Sequence, residues 1–255
     1  MKKIIVLMAV AATACSGGAK DSLTLSARVG TATGAPLPAT GSGVEVASGI
    51  ELTRVRIAIR RLRVEREHAA VEVEISQGPL LLDVSGDALS GALSELVTGN
   101  VPAGTYDELK IDIHRVESAP AGPFDDLVKR GASILLEGTV DSQPFTFASA
   151  LEAEIEHEGQ FEVGGTTSNI TLNIDASTWF KAADGSRLDP RDPAAQRAIE
   201  ANIAASINAF EDDDEDGAED HGEHDGGDDR GHQDGGDDHG GDGGGGGSDD
   251  GGGHH

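Results

Sequence analysis

Between Leu23 and Ile174 apolar side chains return at nearly every second position, a period that admits strands with one buried face and excludes long helices. Leu23, Leu25, Ala27 and Val29 alternate with Thr24, Ser26 and Arg28, and a Gly/Pro/Thr/Ala stretch from Gly30 to Gly43 follows as a loop. The strongest strand is Ile50 to Glu65, where Val55, Ile57 and Ile59 point one way and Arg54, Arg56 and Arg60 the other. The phase then slips, and Leu62 and Val64 carry on the buried set. One extra residue at Arg60-Arg61 accounts for the slip, as a β-bulge does. Val71 to Ile75 alternates with glutamates, so the arginine row reads as a solvated face ion-paired with Glu72 and Glu74 in preference to an anion-binding face.

Gln77-Gly78-Pro79 turns the chain into a short apolar strand from Leu80 to Val84. Leu89, Leu93, Leu96 and Val97 sit at helical spacing and predict a short amphipathic helical turn ended by Gly99-Asn100. A turn from Val101 to Tyr106 feeds a strand through Leu109, Ile111 and Ile113. Beyond the stiff Ala119 to Pro123 loop, about four more strands are expected from Ile134 to Ile174, divided by turn signals at Gly138, Ser142, Gly159 and Gly164-Gly165. Trp179-Phe180 caps the core. Asp192 as N-cap and Pro193 at the first helical position predict a helix with Ala195, Ile199, Ile203, Ile207 and Phe210 on one side. The expected fold is all-β: an antiparallel β-sandwich of eight or nine strands over residues 22–180, with a C-terminal amphipathic helix over 189–210 lying against it.

Charge divides the chain more sharply than hydropathy does. Of the net charge of -27, about -17 falls on residues 211–255, which hold eighteen Asp and Glu against one Arg. Such a balance excludes nucleic acid, whose phosphates need Lys and Arg, and favours cations. Aromatic residues make up only 3% of the chain, so the core has to be built from Val, Ile, Leu and Ala.

The first fifteen residues set the location. Lys2 and Lys3 precede an uncharged apolar run, Ile4 to Ala12, and Ala12-Thr13-Ala14-Cys15 is a small-residue cleavage site. About twelve apolar residues are too few for a spanning helix, which needs roughly twenty. Cys15 at the cut resembles the lipobox of bacterial lipoproteins, with Ala12 where Leu is usual. That resemblance implies a mature chain starting at a lipidated Cys15, with residues 16–21 as a tether to the membrane. Ser16 after the cysteine implies outer-membrane sorting, facing the periplasm or the cell surface. Cys15 is the only cysteine, so no intrachain disulfide can form.

A strand of the type VRIAIRRLRVE, an apolar strand ending in Asp83, a leucine-rich turn and the run PAGTYDELKIDI together resemble the bacterial lipoprotein domain of unknown function numbered 4382. The resemblance covers about residues 22–116 and departs at the long Thr31 to Ser48 loop. It implies a secreted sandwich, transthyretin-like or Ig-like, and carries no catalytic residues across.

After residue 211 the composition changes to Asp, Gly and His, which predicts a disordered tail. Its head matches a twelve-residue calcium loop: Asp212, Asp214 and Asp216 at positions 1, 3 and 5, Gly217 at 6, the Ala218 carbonyl at 7, Asp220 at 9 and Glu223 at 12. Glu219 stands where such loops carry an apolar residue, and the Gly-rich run after Glu223 cannot make an exit helix. The segment therefore reads as half an EF-hand or as a plain polyanion. His221, His224, His232 and His239 add nitrogen donors for weak, exchangeable zinc, nickel or copper sites.

No nucleophile elbow, phosphate-binding glycine loop or rigid histidine cluster occurs in the body; His68, His114 and His157 are scattered singly. Glu152, Glu154, Glu156 and Glu158 alternate as a solvated strand face does. The expectation is a non-enzymatic, lipid-anchored envelope protein that binds divalent cations through its acidic segment. The alternative is a module for an envelope polysaccharide or protein, with the tail as a solubilising spacer.

Overall fold

A computed structural model describes residues 20–66, 72–76, 78–117, 122–164, 167–214 and 217. They belong to the first of two units of the chain, Met1–Asp220; the second, His221–His255, lies outside the described residues. Along them run β1 (Lys20–Gly30), β2 (Val44–Ala47), β3 (Ile50–Arg66), β4 (Glu72–Glu74), β5 (Leu80–Ser85), β6 (Ser94–Pro102), β7 (Gly104–Ile113), α1 (Asp125–Arg130), β8 (Ile134–Val140), β9 (Gln143–Ser149), β10 (Ala153–Val163), β11 (Thr167–Asp175), α2 (Gln196–Ala205) and β12 (Ile207–Glu211). The strands make two sheets. One has four strands in the order β12-β11-β1-β6; the other has eight, ordered β10-β7-β3-β8-β9 with β2, β4 and β5 also paired to β3. The all-β sandwich expected from the alternation is the observed fold.

β3 is the frame of the larger sheet because it is long enough, at seventeen residues, to be shared. Its first half pairs with β8 on one flank and with β2 and β5 on the other, and its second half lies between β7 and β4. The changeover comes at a register shift between Ile59 and Arg61, where the slipped phase of the sequence puts a bulge. Between the sheets, Leu23, Leu25, Ala27 and Val29 of β1 and Ile170, Leu172 and Ile174 of β11 meet Val55, Ile57, Leu62 and Val64 of β3 in one core cluster. Each of the Val, Leu and Ile side chains contributes about 1.5–3 kcal/mol by leaving water. Trp179 and Phe180 are fully buried at its end, as expected.

The run Pro102 to Tyr106 is a corner with its own logic. The Tyr106 hydroxyl donates to the Pro102 carbonyl at 2.6 Å, and the Arg66 guanidinium donates to the Ala103 carbonyl at 2.6 Å while lying over the tyrosine ring. Gly104 has φ +143, and a Cβ there would lie 2.8 Å from Arg66 Nη2, so glycine alone fits. The PAG-x-Y pattern is thus a way to pack an arginine and a tyrosine against one turn.

Several expectations need correction. The leucines at 89–97 do not share one helical turn: Leu89 lies in the 3-10 turn Gly86–Ser90, while Leu96 and Val97 belong to strand β6, Ser94–Pro102. Opposite β6, Leu25 pairs with Val97 and Ser26 with Glu95, so Leu96 is an extra residue, and this bulge imitates helical spacing. The C-terminal helix stops at Ala205, and Ile207–Glu211 becomes β12 on the edge of β11. The Asp192 carboxylate does accept from the Ala194 N–H, but this caps a turn, and the regular helix begins at Gln196. The sandwich therefore runs to Glu211 and, among the described residues, has twelve strands where eight or nine were expected. Gly138 is not a turn but lies inside β8 beneath Phe145. The hairpin after it turns on Asp141 and Ser142, at φ 50 and 65.

The arginine row is ion-paired, though not with the expected partners. Arg54 pairs with Asp83, Arg56 with Asp126 and Glu137, and Arg60 with Asp112, while Glu72 is taken by Arg63 and Lys110. Helix α1, which the alternation does not announce, covers part of this outer face. There Phe124, Leu127 and Ala132 pack on Ala58 and Leu135 as a second, small core.

Candidate functional site

The outer face of the four-stranded sheet carries the head of the acidic segment. β1 and β11 run parallel, so Thr24 lies beside Asn169, Ser26 beside Thr171 and Arg28 beside Asn173. Period two places these six polar side chains away from the core, where solvent is the ordinary environment. They are nonetheless buried, with exposures from 0% at Thr171 to 8% at Thr24. A polar group removed from water must find a partner. The Ser26 hydroxyl donates to Asn169 Oδ1 at 3.2 Å, Arg28 Nε donates to Asn173 Oδ1 at 3.0 Å, and Asn173 Nδ2 donates to the Thr31 carbonyl at 3.0 Å.

Asp212 is seated on this face. Its side chain is fully buried, with Oδ2 accepting from the Thr171 hydroxyl at 2.6 Å and Oδ1 from the Gly217 N–H at 3.0 Å. Its backbone N–H donates to the Asn169 carbonyl at 3.0 Å, and its carbonyl accepts from Asn169 Nδ2 at 2.9 Å. Asp213 follows by accepting the Asn169 backbone N–H at 3.0 Å through Oδ1. Asn169 thus commits its backbone and its amide to holding two consecutive aspartates.

Arg28 supplies the positive charge of the face. Its guanidinium lies 5.5 Å from the centre of the Phe210 ring, a cation–π contact. Two glycines make room for it: a Cβ on Gly34 would lie 1.9 Å from Nη2, and one on Gly217 would lie 2.2 Å from Nη1. Both glycines have positive φ, +71 and +80. Gly217 therefore touches both charges, giving its N–H to Asp212 and its bare Cα side to Arg28.

Of the residues expected to hold calcium, the structure places Asp212 inward, Asp214 exposed to solvent and Gly217 in a left-handed turn. Asp216, Ala218, Asp220 and Glu223 lie outside the described residues, as do His221, His224, His232, His239 and the lipidation residue Cys15. Among the described residues no three His, Cys, Asp or Glu side chains are grouped to hold a metal ion, and no helix is long and apolar enough to cross a membrane. His114 sits against the Arg115 carbonyl and Glu152, and His157 packs near Phe161, so the two are apart. The β10 glutamates face solvent, with Glu154 on Arg63 and Glu152, just before the strand, on Arg115.

Sequence reasoning passed over Asn169, Thr171, Asn173 and Arg28, because alternation marks them as ordinary outward-facing residues. The one available signal was the density of amide and hydroxyl side chains in Ser168-Asn169-Ile170-Thr171-Leu172-Asn173, where a solvated strand more often carries charge.

No protein-family model matches the chain, and no curated protein matches it. A solved structure titled "MbnP from Methylosinus trichosporium" matches over 76% of this chain and 98% of that one, at 14% identity and a TM-score of 0.39. A likeness of that strength assigns neither family nor function.

Proposed function

We propose that this is a cell-envelope β-sandwich protein, held to the membrane by a lipid on Cys15, that offers its acidic C-terminal segment to divalent cations, calcium foremost. The observation that supports the reading most is the turn at the head of that segment, where the Gly217 N–H closes onto the Asp212 carboxylate at 3.0 Å with Gly217 at φ +80. A calcium loop needs a sharp glycine turn at its sixth position so that later oxygens can converge. Here the sheet supplies part of the rigidity that an exit helix supplies elsewhere, because Thr171 and Asn169 hold the loop's first residue. A carboxylate that accepts two hydrogen bonds keeps lone pairs for a cation. The remaining oxygens would come from Asp214, Asp216, Ala218, Asp220 and Glu223, and the tail histidines would add weak zinc, nickel or copper sites.

The experiment is a thermal melt of the intact chain with and without millimolar calcium, joined to mass spectrometry of the mature N-terminus. A ligand that binds only the folded state raises stability by about 2.7 kcal/mol at a hundred times its Kd. The expected results are a higher melting temperature in calcium, protection of residues 212–223 from hydrogen exchange, and a diacylglyceryl adduct on Cys15. An unchanged melt would remove calcium from the reading, and an unmodified Cys15 would remove the anchor.

A further inference from the structure

The C-terminal strand is fastened at two points, both by polar contacts. At its start Ser206 is pinned to the core: its hydroxyl accepts the Trp179 indole N–H at 2.8 Å and its carbonyl accepts the Asp175 N–H at 3.0 Å. At its end Asp212 and Asp213 are held by Asn169 and Thr171. Between these points the apolar grip is confined to Ile207, which packs on the core from a partly exposed position, and to Ala209. Of Ile207, Asn208, Ala209, Phe210 and Glu211 only the small Ala209 is buried, at 3% exposure. By contrast Ile199 and Ile203 of α2, just before the pin, are completely buried. Phe210 is half-covered and meets Arg28 through its ring face, and Glu211 accepts from the backbone N–H of Glu162 on β10.

We propose that Ile207 to Asp214 is a releasable strap, hinged at Ser206 and clasped by Asp212 and Asp213 on Asn169 and Thr171. Its local release turns β11 from an interior strand into a free edge. Segments with few buried apolar contacts open at lower free energy than the core that carries them. In this strap polar bonds do most of the holding, so its closure depends on the clasp. Release leaves the eight-stranded sheet, α2 and the Trp179 corner in place, because the pin lies on the core side of the hinge. It also frees the backbone of β11 from Ile170 to Ile174, the residues now paired with β12. An unpaired edge of that length is a template for another extended strand. The inference does not depend on cation binding, since Asn169 and Thr171 hold the clasp through their own donors.

The test is native-state hydrogen exchange on the intact chain in rising sub-denaturing urea, which needs no variant. The strap amides are expected to exchange through a local opening with little urea dependence, while the amides of Val55 to Ile59 exchange through the global one. Thr171→Val, which removes the hydroxyl and keeps the shape, weakens a bond that both the local and the global opening break, and is expected to speed exchange of the strap amides at least tenfold while their urea dependence stays small. Strap amides that follow the β3 amides in one cooperative step would overturn the proposal. So would a Thr171→Val chain in which the strap amides exchange at the parent rate, or in which they take on the urea dependence of the β3 amides.

Discussion

The outer faces of the two sheets start from the same material, polar side chains alternating with a shared core, and end as opposites. On the eight-stranded sheet the residues are charged, largely solvent-facing and ion-paired, as with Arg54 on Asp83, Arg61 on Asp112 and Arg63 on Glu72. On the four-stranded sheet they are mostly neutral, buried and hydrogen-bonded in a closed set under the head of the acidic segment. The difference teaches where polar groups carry structural weight. Exposed pairs contribute little because water competes for both partners, whereas a buried donor that loses its acceptor has no second choice.

The largest effect is therefore expected from Asn169→Ala. It strands the Ser26 hydroxyl and the Asp212 carbonyl in a buried layer, and should lower unfolding stability by about 3 kcal/mol in urea titration. Arg56→Ala comes next. Arg56 is the exception on the charged face, only 2% exposed, and its loss removes packing as well as its bonds to Asp126 and Glu137. About 1–2 kcal/mol is expected, with weak dependence on salt. Arg54→Ala should cost at most about 1 kcal/mol, and that effect should fade in molar salt because the Arg54–Asp83 pair is more than a quarter exposed on both sides. If Arg54→Ala proved as damaging as Asn169→Ala, the contrast between the faces would fail.

Smallest per group, and visible only in sum, is the response to acid. Lys110 holds Glu65 below the usual carboxylate range, Arg63 and Lys110 do the same for Glu72, and Arg56 for Asp126. Burial pushes Asp112 up, but the Arg60 and Arg61 guanidinia outweigh it and the net shift is downward. The Arg191 side chain brings Asp189 down to about 2. A carboxyl lowered in the folded state contributes fully above its unfolded pKa and loses that contribution as pH falls through the folded one. Stability should thus decline from about pH 4, the ordinary carboxylate value, toward about pH 2, less steeply in high salt. A flat profile in that window would show that the pairs of the charged face contribute nothing to stability.

Much of the frame was legible because strands with one dry face write their period into the sequence. β1, β3, β7, β8, β9 and β11 all show it, and even the Arg60-Arg61 bulge appears as a slip of phase. The misread elements share one physical cause, the competition of long-range pairing with local pattern. Leu96 bulges out of β6, and Ile207 with Phe210 continues the stripe of α2 at helical spacing yet is drawn into pairing by β11. The parallel partnership of β1 and β11 joins residues that lie on opposite sides of β3 in sequence, and no local signal reports it. The clasp was legible in half. Asp212 and Gly217 stood out by motif spacing, while Asn169 and Thr171, which hold them, are recognised only once the second face of β11 is found buried.

The seating of Asp212 sets where the acidic segment can be cut without disturbing the sheet. Removing residues 211–255 would take Asp212 out of the fold along with the tail, so the informative boundary falls just after Gly217, whose N–H closes on Asp212. The most direct measurement is calorimetric titration of calcium into the intact chain and into a chain ending at Gly217. Saturable uptake by the intact chain and its loss on truncation are expected, with the melting temperature in the absence of calcium preserved. An intact chain that takes up no calcium at millimolar concentration, or a truncated chain that binds as well as the intact one, would contradict the cation proposal.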